Sequence, residues 1–105
     1  VGSGYASHEL KQKVVELGLA SKVSFVGSIV EREILKRYYV AADLFLFPSL
    51  YDNAPLVIRE AAALGTPSVL IRDSTASEII SDSVNGFLSP NSTEAYSNRI
   101  IFFII

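Results

Sequence analysis

The apolar residues of this chain recur with two different periods, and turn residues separate the segments that carry them. Leu10, Val14 and Leu17 fall on one helical face, whereas residues 44–47 form a continuous apolar run that ends at Pro48. Such a run is typical of a strand buried on both faces of a parallel sheet. Strands are predicted at 22–26, 44–47, 68–71 and 87–89, and helices at 8–17, 31–42, 55–64 and 76–81.

Capping and turn residues mark the predicted ends. Ser7 is expected to cap the first helix, and Gly18 to stop it. Pro55 suits the first turn of the third helix, with a glycine and a proline just beyond its end. Either Ser92 or Thr93 can cap a final helix. Helix 31–42 should bury a stripe that consists of Ile34, Leu35, Tyr38 and Ala42, although only one residue of the adjacent pair Tyr38 and Tyr39 can be core.

Strands that alternate with helices of about ten residues indicate βαβ units. The predicted fold is therefore a doubly wound, Rossmann-like α/β domain whose parallel sheet is covered on both sides, and the length fits a single domain over residues 1–105. Residues 1–4 have the pattern of a strand end and a glycine turn, and residues 100–105 are all apolar. The sequence also contains no methionine. From these features we expect both ends to be cuts within a longer protein.

Composition excludes several classes of function. A hydrophobic content of 50% argues against disorder, and a net charge of −2 gives no basic excess for nucleic acid. No apolar run approaches the roughly 20 residues of a membrane span. The absence of cysteine and the single histidine exclude disulfides, cysteine nucleophiles and His-rich zinc sites. We expect a cytoplasmic protein without a metal or other cofactor.

Candidate chemistry follows the strand at 44–47, because ligands of open α/β sheets bind beyond the carboxyl ends of the strands. The loop 48–55 leads into a helix N terminus, which attracts phosphate. Asp52 lies before this helix and Glu60 lies within it, among small apolar residues. Taken alone, this spacing also fits an ordinary N-cap and a solvated glutamate.

The other candidate residues give weaker evidence for a functional site. Gly2 and Gly4 resemble part of a phosphate-binding loop, but Ser7 stands where a third glycine is needed, so a plain turn is the simpler interpretation. His8 fits a solvated helix start, and Asp43 and Asp82 fit turn and cap positions. Ser49 has no candidate histidine partner for a hydrolase triad. No Asp-x-Asp pair is present for a metal-bound diphosphate.

Four motifs occur in a specific order: FVG at 25–27, AADLFLFPS at 41–49, EAAALGTP at 60–67 and SEIISDSVNGFL at 77–88. With these motifs the chain resembles the C-terminal, donor-binding domain of GT-B retaining glycosyltransferases. The particular group is glycosyltransferase family 4, which includes glycogen-synthase-like and lipid-glycosylating enzymes. The resemblance covers roughly residues 1 to 98 of the chain.

The resemblance implies a site for a nucleoside diphosphate sugar. The family's two acidic residues, separated by seven others, match Asp52, which would reach the donor sugar, and Glu60, which would bind the ribose; these are the catalytic candidates. An ionised carboxylate can accept two hydroxyl donors at once, which suits both roles. The resemblance also implies that the diphosphate binds at the N terminus of the helix predicted at 55–64. It implies that the nucleobase contacts the loop 28–30. The donor-binding residues are expected to be Gly2, Gly4, Ser28, Ile29, Val30, Ser49, Asn53, Ala54, Pro55, Leu56, Val57 and Glu60.

Three departures from the family pattern matter. Asp52 is one methylene shorter than the usual glutamate, and Pro55 replaces a glycine and offers no N–H. The family's diphosphate-neutralising Arg and Lys would lie upstream of this sequence. The acceptor is expected to bind an N-terminal domain that the sequence lacks. The isolated chain is therefore expected to bind a nucleotide weakly and to catalyse no transfer.

The predicted function is transfer of a hexose from a nucleotide sugar to an acceptor with retention of configuration. One alternative is half of a GT-B-fold sugar-nucleotide epimerase, although the acid–base residues for it are not evident. Another is a non-catalytic module that binds a nucleotide or a partner protein, for which the apolar segment from Ile100 would suit an interface. The resemblance is compatible with peripheral membrane association of the full enzyme. It does not fix the oligomeric state.

Overall fold

The computed structural model of this chain describes residues 4–50 and 56–104. The chain divides into two compact units, Val1–Leu35 and Lys36–Ile105. In the described ranges, no helix has both the length and the apolar character that crossing a bilayer requires.

Helix α1 of the first unit, Ser7–Glu16, confirms the helix predicted at 8–17. Its N-cap residue is Ala6, and no side chain caps it, so the prediction that Ser7 caps this helix is wrong. Ser7 is already the first helical residue, one position beyond the N-cap, so its hydroxyl is not placed to cap the helix. Gly18 ends the helix as predicted, because it adopts a φ of +68°, which glycine tolerates without strain.

The strand predicted at 22–26 does not form. A β-strand forms only when its backbone hydrogen-bonds to a neighbouring strand. No described segment of the first unit pairs with residues 22–26 in this way. Its apolar side chains stay partly in solvent, with Phe25 43% exposed. The Lys11 ammonium lies 5.7 Å from the centre of the Phe25 ring, so this segment contacts α1 through side chains.

The remaining elements follow the predicted order with small differences in length. Helix α2 is Arg32–Ala41, strand β1 is Phe45–Phe47, helix α3 is Leu56–Ala63, strand β2 is Ser68–Ile71, strand β3 is Phe87–Ser89 and helix α4 is Thr93–Ile104. The short helix predicted at 76–81 is a single 3₁₀ turn, Ser77–Ile79. Ser92 caps α4, since its Oγ accepts a hydrogen bond from the Ala95 N–H at 3.0 Å.

The three strands form a parallel sheet in the order β1-β2-β3. This arrangement confirms the mixed α/β architecture with a parallel sheet. Every residue of β2 is buried, as its apolar run predicts. Strand β1 differs, because Leu46 is 46% exposed while Phe45 and Phe47 are half-buried. Successive side chains point to opposite faces, so only one face of this strand is covered, and burial on both faces was a wrong expectation.

The core of the second unit is centred on Ile58 of α3, Leu70 of β2 and Ala76. Tyr39 is 8% exposed and Tyr38 is 43% exposed, which confirms that only one of the pair is core. It is Tyr39, however, so the predicted stripe through Tyr38 is wrong. The Tyr39 ring meets the Phe45 ring edge-on, with centroids 5.6 Å apart, and this contact selects the buried residue.

Asp82 ties α4 to β3, a larger role than the turn or cap expected of it. Its Oδ1 accepts hydrogen bonds from the Leu88 N–H at 3.0 Å and from Arg99 at 2.6 Å, and its Oδ2 lies 3.4 Å from Arg72. The bond from the Leu88 amide, followed by that from Arg99, holds the pKa of the Asp82 carboxyl below its usual value. The Arg99 guanidinium also lies 4.9 Å from the centre of the Phe87 ring.

Core truncation should be far more costly than surface truncation. Ile58 is 1% exposed, so Ile58→Ala leaves a cavity and should lower the free energy of unfolding by about 2–5 kcal/mol. Val84 is 83% exposed, and Val84→Ala should change it by less than about 0.5 kcal/mol. Urea denaturation measures both values. Equal losses from the two variants would contradict the assigned core.

Candidate functional site

The carboxyl ends of β1 and β2 are connected through the segment that follows β1. The Leu50 carbonyl accepts a hydrogen bond from the Thr75 N–H at 3.1 Å, and the Thr75 Oγ1 lies 3.5 Å from the same oxygen. Ser49 and Leu50 are half-buried here. The start of the predicted donor loop is therefore held against the turn that follows β2.

Helix α3 supplies the other end of this loop. Leu56 and Val57 are its first two residues, and amides in a first helical turn have no acceptor within their own helix. Leu56 is 62% exposed, whereas Ile58 is buried, so the helix anchors in the core while its N terminus reaches the surface. These amides can donate to an anion, and the helix dipole favours negative charge there.

Glu60 lies in the second turn of α3 and is partly buried. Its partial burial argues against the alternative that it is an ordinary solvated glutamate. The Tyr39 hydroxyl donates a hydrogen bond to the Glu60 carboxylate. Burial, followed by the negative charge of Glu60 and this bond, raises the pKa of Tyr39 above its ordinary value of 10.0. Because a carboxylate has about four acceptor positions, Glu60 can bind further hydroxyl groups.

The position of Tyr39 is set at the amino end of the sheet. Thr66 is buried just before β2, and its hydroxyl donates to the Tyr39 carbonyl. The Thr66 amide in turn bonds to the Ala61 carbonyl at 2.8 Å. Helices α2 and α3 are therefore connected beside Glu60 by backbone as well as side-chain bonds.

Tyr96 of α4 makes the most unusual polar contact of the sheet. Its hydroxyl accepts a hydrogen bond from the Phe47 N–H at 3.1 Å and donates to the Val69 carbonyl at 2.6 Å. Burial raises the pKa of Tyr96 to about 12, and the bond from the Phe47 amide opposes this increase. A neutral phenol therefore bridges β1 and β2 at neutral pH.

The first unit contains the residues expected to meet the nucleobase. Ile29 is half-buried, and Val30 is 92% exposed, beyond the turn at Gly27. Gly4 lies before α1 and lines an open cavity of about 820 Å³ between the start of that helix and residues 23–27. The apolar Phe25 and the cationic Lys11 line the same cavity. Ser28 is exposed and directly follows this segment.

The structure brings together only part of the predicted site. Ser49, Leu56, Val57 and Glu60 belong to the second unit, and Gly4 and residues 28–30 belong to the first. Five further predicted residues lie outside the described part of the chain, and their roles stay predictions. These are Gly2, Asp52, Asn53, Ala54 and Pro55.

Comparison with known proteins decides the family. The sequence profile of the family described as Glycosyl transferases group 1 matches residues 1–104. The chain belongs to this family. The resemblance to a GT-B donor domain of family 4 is thereby confirmed, and a solved structure supports it further. An Anabaena protein, HepE, crystallised in complex with UDP and glucose, superposes with a TM-score of 0.80 and 32% identity over 93% of this chain.

Curated relatives agree with the family profile. An uncharacterised glycosyltransferase of Methanocaldococcus jannaschii is 39% identical over 81% of the chain. The amylovoran biosynthesis glycosyltransferase of Erwinia amylovora is 35% identical over 86% of it. The chain spans 22% and 23% of these two proteins and 26% of the crystallised one, so it corresponds to about a quarter of each.

Sequence reasoning missed three residues that organise the site. Tyr96 and Thr75 hold the end of β1, and Tyr39 contacts Glu60. The adjacent tyrosines at 38 and 39 were a usable signal for the last of these, because one of them had to be buried. Nothing in the sequence around Tyr96 or Thr75 indicates a contact about 49 or 25 positions away.

The raised pKa of Tyr96 predicts a stability difference that depends on pH. Relative to Tyr96→Phe, the wild-type chain should be more stable by about 1 kcal/mol near pH 8, because the hydroxyl satisfies two backbone groups. A raised pKa contributes stability that is complete below pH 10 and is lost as pH rises through about 12. Urea denaturation between pH 8 and 12 should show the difference narrowing over that interval. A constant difference would contradict the neutral-phenol bridge.

Proposed function

We propose that this chain is the donor-binding part of a glycosyltransferase that transfers a hexose from a nucleoside diphosphate sugar with retention of configuration. The observation that carries the proposal is the similarity to the Anabaena protein crystallised with UDP and glucose. The family match and the accessible helix N terminus of α3 support it.

The proposed roles follow from the chemistry of each group. Glu60 accepts hydrogen bonds from the ribose hydroxyls, and the first-turn amides of α3 bind the diphosphate. Asp52 contacts the sugar hydroxyls near the reacting carbon. Ser28, Ile29 and Val30 contact the base. Gly2 and Gly4 are assigned to donor contacts, as are Ser49, Asn53, Ala54 and Pro55 of the loop after β1.

In the reaction, the bond between the anomeric carbon and the diphosphate oxygen breaks. The acceptor hydroxyl oxygen bonds to the same carbon on the same face, and its proton goes to the departing diphosphate. Such a step depends on stabilising charge on the leaving group more than on a protein nucleophile. We propose that no metal ion is required, which agrees with a sequence that has no Asp-x-Asp pair.

The full protein is proposed to act in the cytoplasm, with its acceptor bound by a separate domain. Peripheral membrane association is compatible with this proposal, and nucleic acid is not an expected partner. An epimerase would bind the same donor and would convert it into an isomeric sugar nucleotide without an acceptor. A non-catalytic module would bind nucleotide and show no turnover in any context.

Nucleotide binding tests the role of Glu60. Calorimetric titration of the chain with UDP, GDP and ADP should detect one preferred nucleotide. Glu60→Gln should weaken its binding about tenfold, because it removes a charged acceptor of the ribose hydroxyls while keeping an oxygen for the Tyr39 hydroxyl. Glu94→Gln, an exposed glutamate on α4, is the matched control and should leave the affinity unchanged. Unchanged binding by Glu60→Gln would remove Glu60 from this role.

Turnover tests the division of labour between domains. The isolated chain, supplied with a UDP-sugar, should release no UDP above background, since the proposed acceptor domain and the diphosphate-neutralising Arg and Lys are not in this sequence. A coupled assay for released UDP measures this directly. Clear transfer to an acceptor by the isolated chain would overturn the proposed division.

A further inference from the structure

The Tyr96 hydroxyl lies beside a backbone pair of the β1–β2 ladder. In the parallel register, Phe45 pairs with Ser68 and Phe47 pairs with Leu70. The Phe45 N–H donates to the Pro67 carbonyl, the residue before its partner, at 2.9 Å. Hydrogen bonds of a parallel ladder repeat every two residues along a strand, so the partner of the Phe47 N–H within the sheet is the Val69 carbonyl.

The Tyr96 hydroxyl contacts both members of this second pair. It accepts from the Phe47 N–H at 3.1 Å and donates to the Val69 carbonyl at 2.6 Å. Both lengths are in the range of good hydrogen bonds. A side chain from α4 therefore contacts both strands at the last residue of β1, in addition to the pairing of Phe47 with Leu70 within the sheet.

This location lies next to the donor loop. Phe47 is the last residue of β1, and only Pro48 and Ser49 separate it from Leu50, whose carbonyl is held by Thr75. Loop residues 48–50 are thus fixed at one end by the Tyr96 hydroxyl and at the other by the Thr75 amide. A change in the position of Phe47 shifts the start of the loop.

We propose that Tyr96 is a positioning residue for the donor loop, whose hydroxyl bridges Phe47 and Val69 and so sets where the loop leaves the sheet. The proposal rests on the proposed function, because it takes the loop after β1 to be part of the donor site. Tyr96 itself needs no contact with the donor.

Removal of the hydroxyl takes away the two contacts by which α4 holds the end of β1 against β2. The pairing within the sheet remains, so the end of β1 is held less firmly and the start of the loop moves more freely. Tyr96→Phe keeps the ring and its packing, so it removes the bridge and little else. Ser92→Ala is the matched control, because it removes the hydroxyl that caps α4 while it keeps the Tyr96 hydroxyl.

Two measurements on the 105-residue chain test the proposal, both made where each variant is fully folded. The first is calorimetric titration with UDP, GDP and ADP. Tyr96→Phe should bind the preferred nucleotide about fivefold more weakly, and Ser92→Ala should bind it like wild type. The second is amide hydrogen exchange by NMR, in which Phe47, Ser49 and Leu50 should exchange faster in Tyr96→Phe and not in Ser92→Ala.

The outcomes separate this proposal from the function on which it rests. Equal affinity in Tyr96→Phe and wild type overturns the positioning role, as does an equal loss in both variants, which would reflect general destabilisation. If wild type binds none of the three nucleotides, the proposed donor role of the isolated chain fails. Amide exchange then decides the positioning role: faster exchange only in Tyr96→Phe supports it, and unchanged exchange overturns it.

Discussion

The burial of β2 is the constraint on which the rest of the second unit depends. Leu70 is fully buried between the two neighbouring strands and packs with Ile58 and Ala76. A strand that is paired along both edges and covered on both faces cannot shift by a residue without exposing apolar side chains and burying polar ones. The segments that leave its carboxyl end, and those of its neighbours, therefore begin from fixed positions. Fixed starting positions of this kind suit the donor site that we propose at that edge.

Helix α3 connects that core to the candidate chemistry. Ile58 and Ala61 face the interior and are almost fully buried, while Glu60 lies beside them and contacts the Tyr39 hydroxyl. The carboxylate is placed by the packing of its own helix, so its orientation costs little additional entropy when a ligand binds. Family membership and the similarity to a structure with UDP and glucose support the proposed donor-binding role of the chain.

Side-chain hydrogen bonds connect helix α4 to the sheet. The Tyr96 phenol bonds to both β1 and β2, and Asp82 connects α4 to β3 and to the end of β2 through two arginines. Helix α4 thus reaches the carboxyl edge of the sheet by side chains rather than by backbone. The Tyr96 contacts are partly buried and the Asp82 contacts are exposed, so the loss of the Tyr96 hydroxyl is expected to cost more.

The sequence by itself determined the order of the elements, the parallel α/β class and the family, because apolar periods, glycine turns and motif spacing are local properties. Strand β2 was predicted with its observed bounds, since four consecutive buried residues leave a clear local pattern. Only the tertiary structure decided which tyrosine is core, that the segment at 22–26 pairs with no described strand, and that Tyr96 bridges the sheet. Each of these depends on a partner distant in the chain, such as the Phe45 ring or the Phe47 amide, and no local pattern encodes a distant partner.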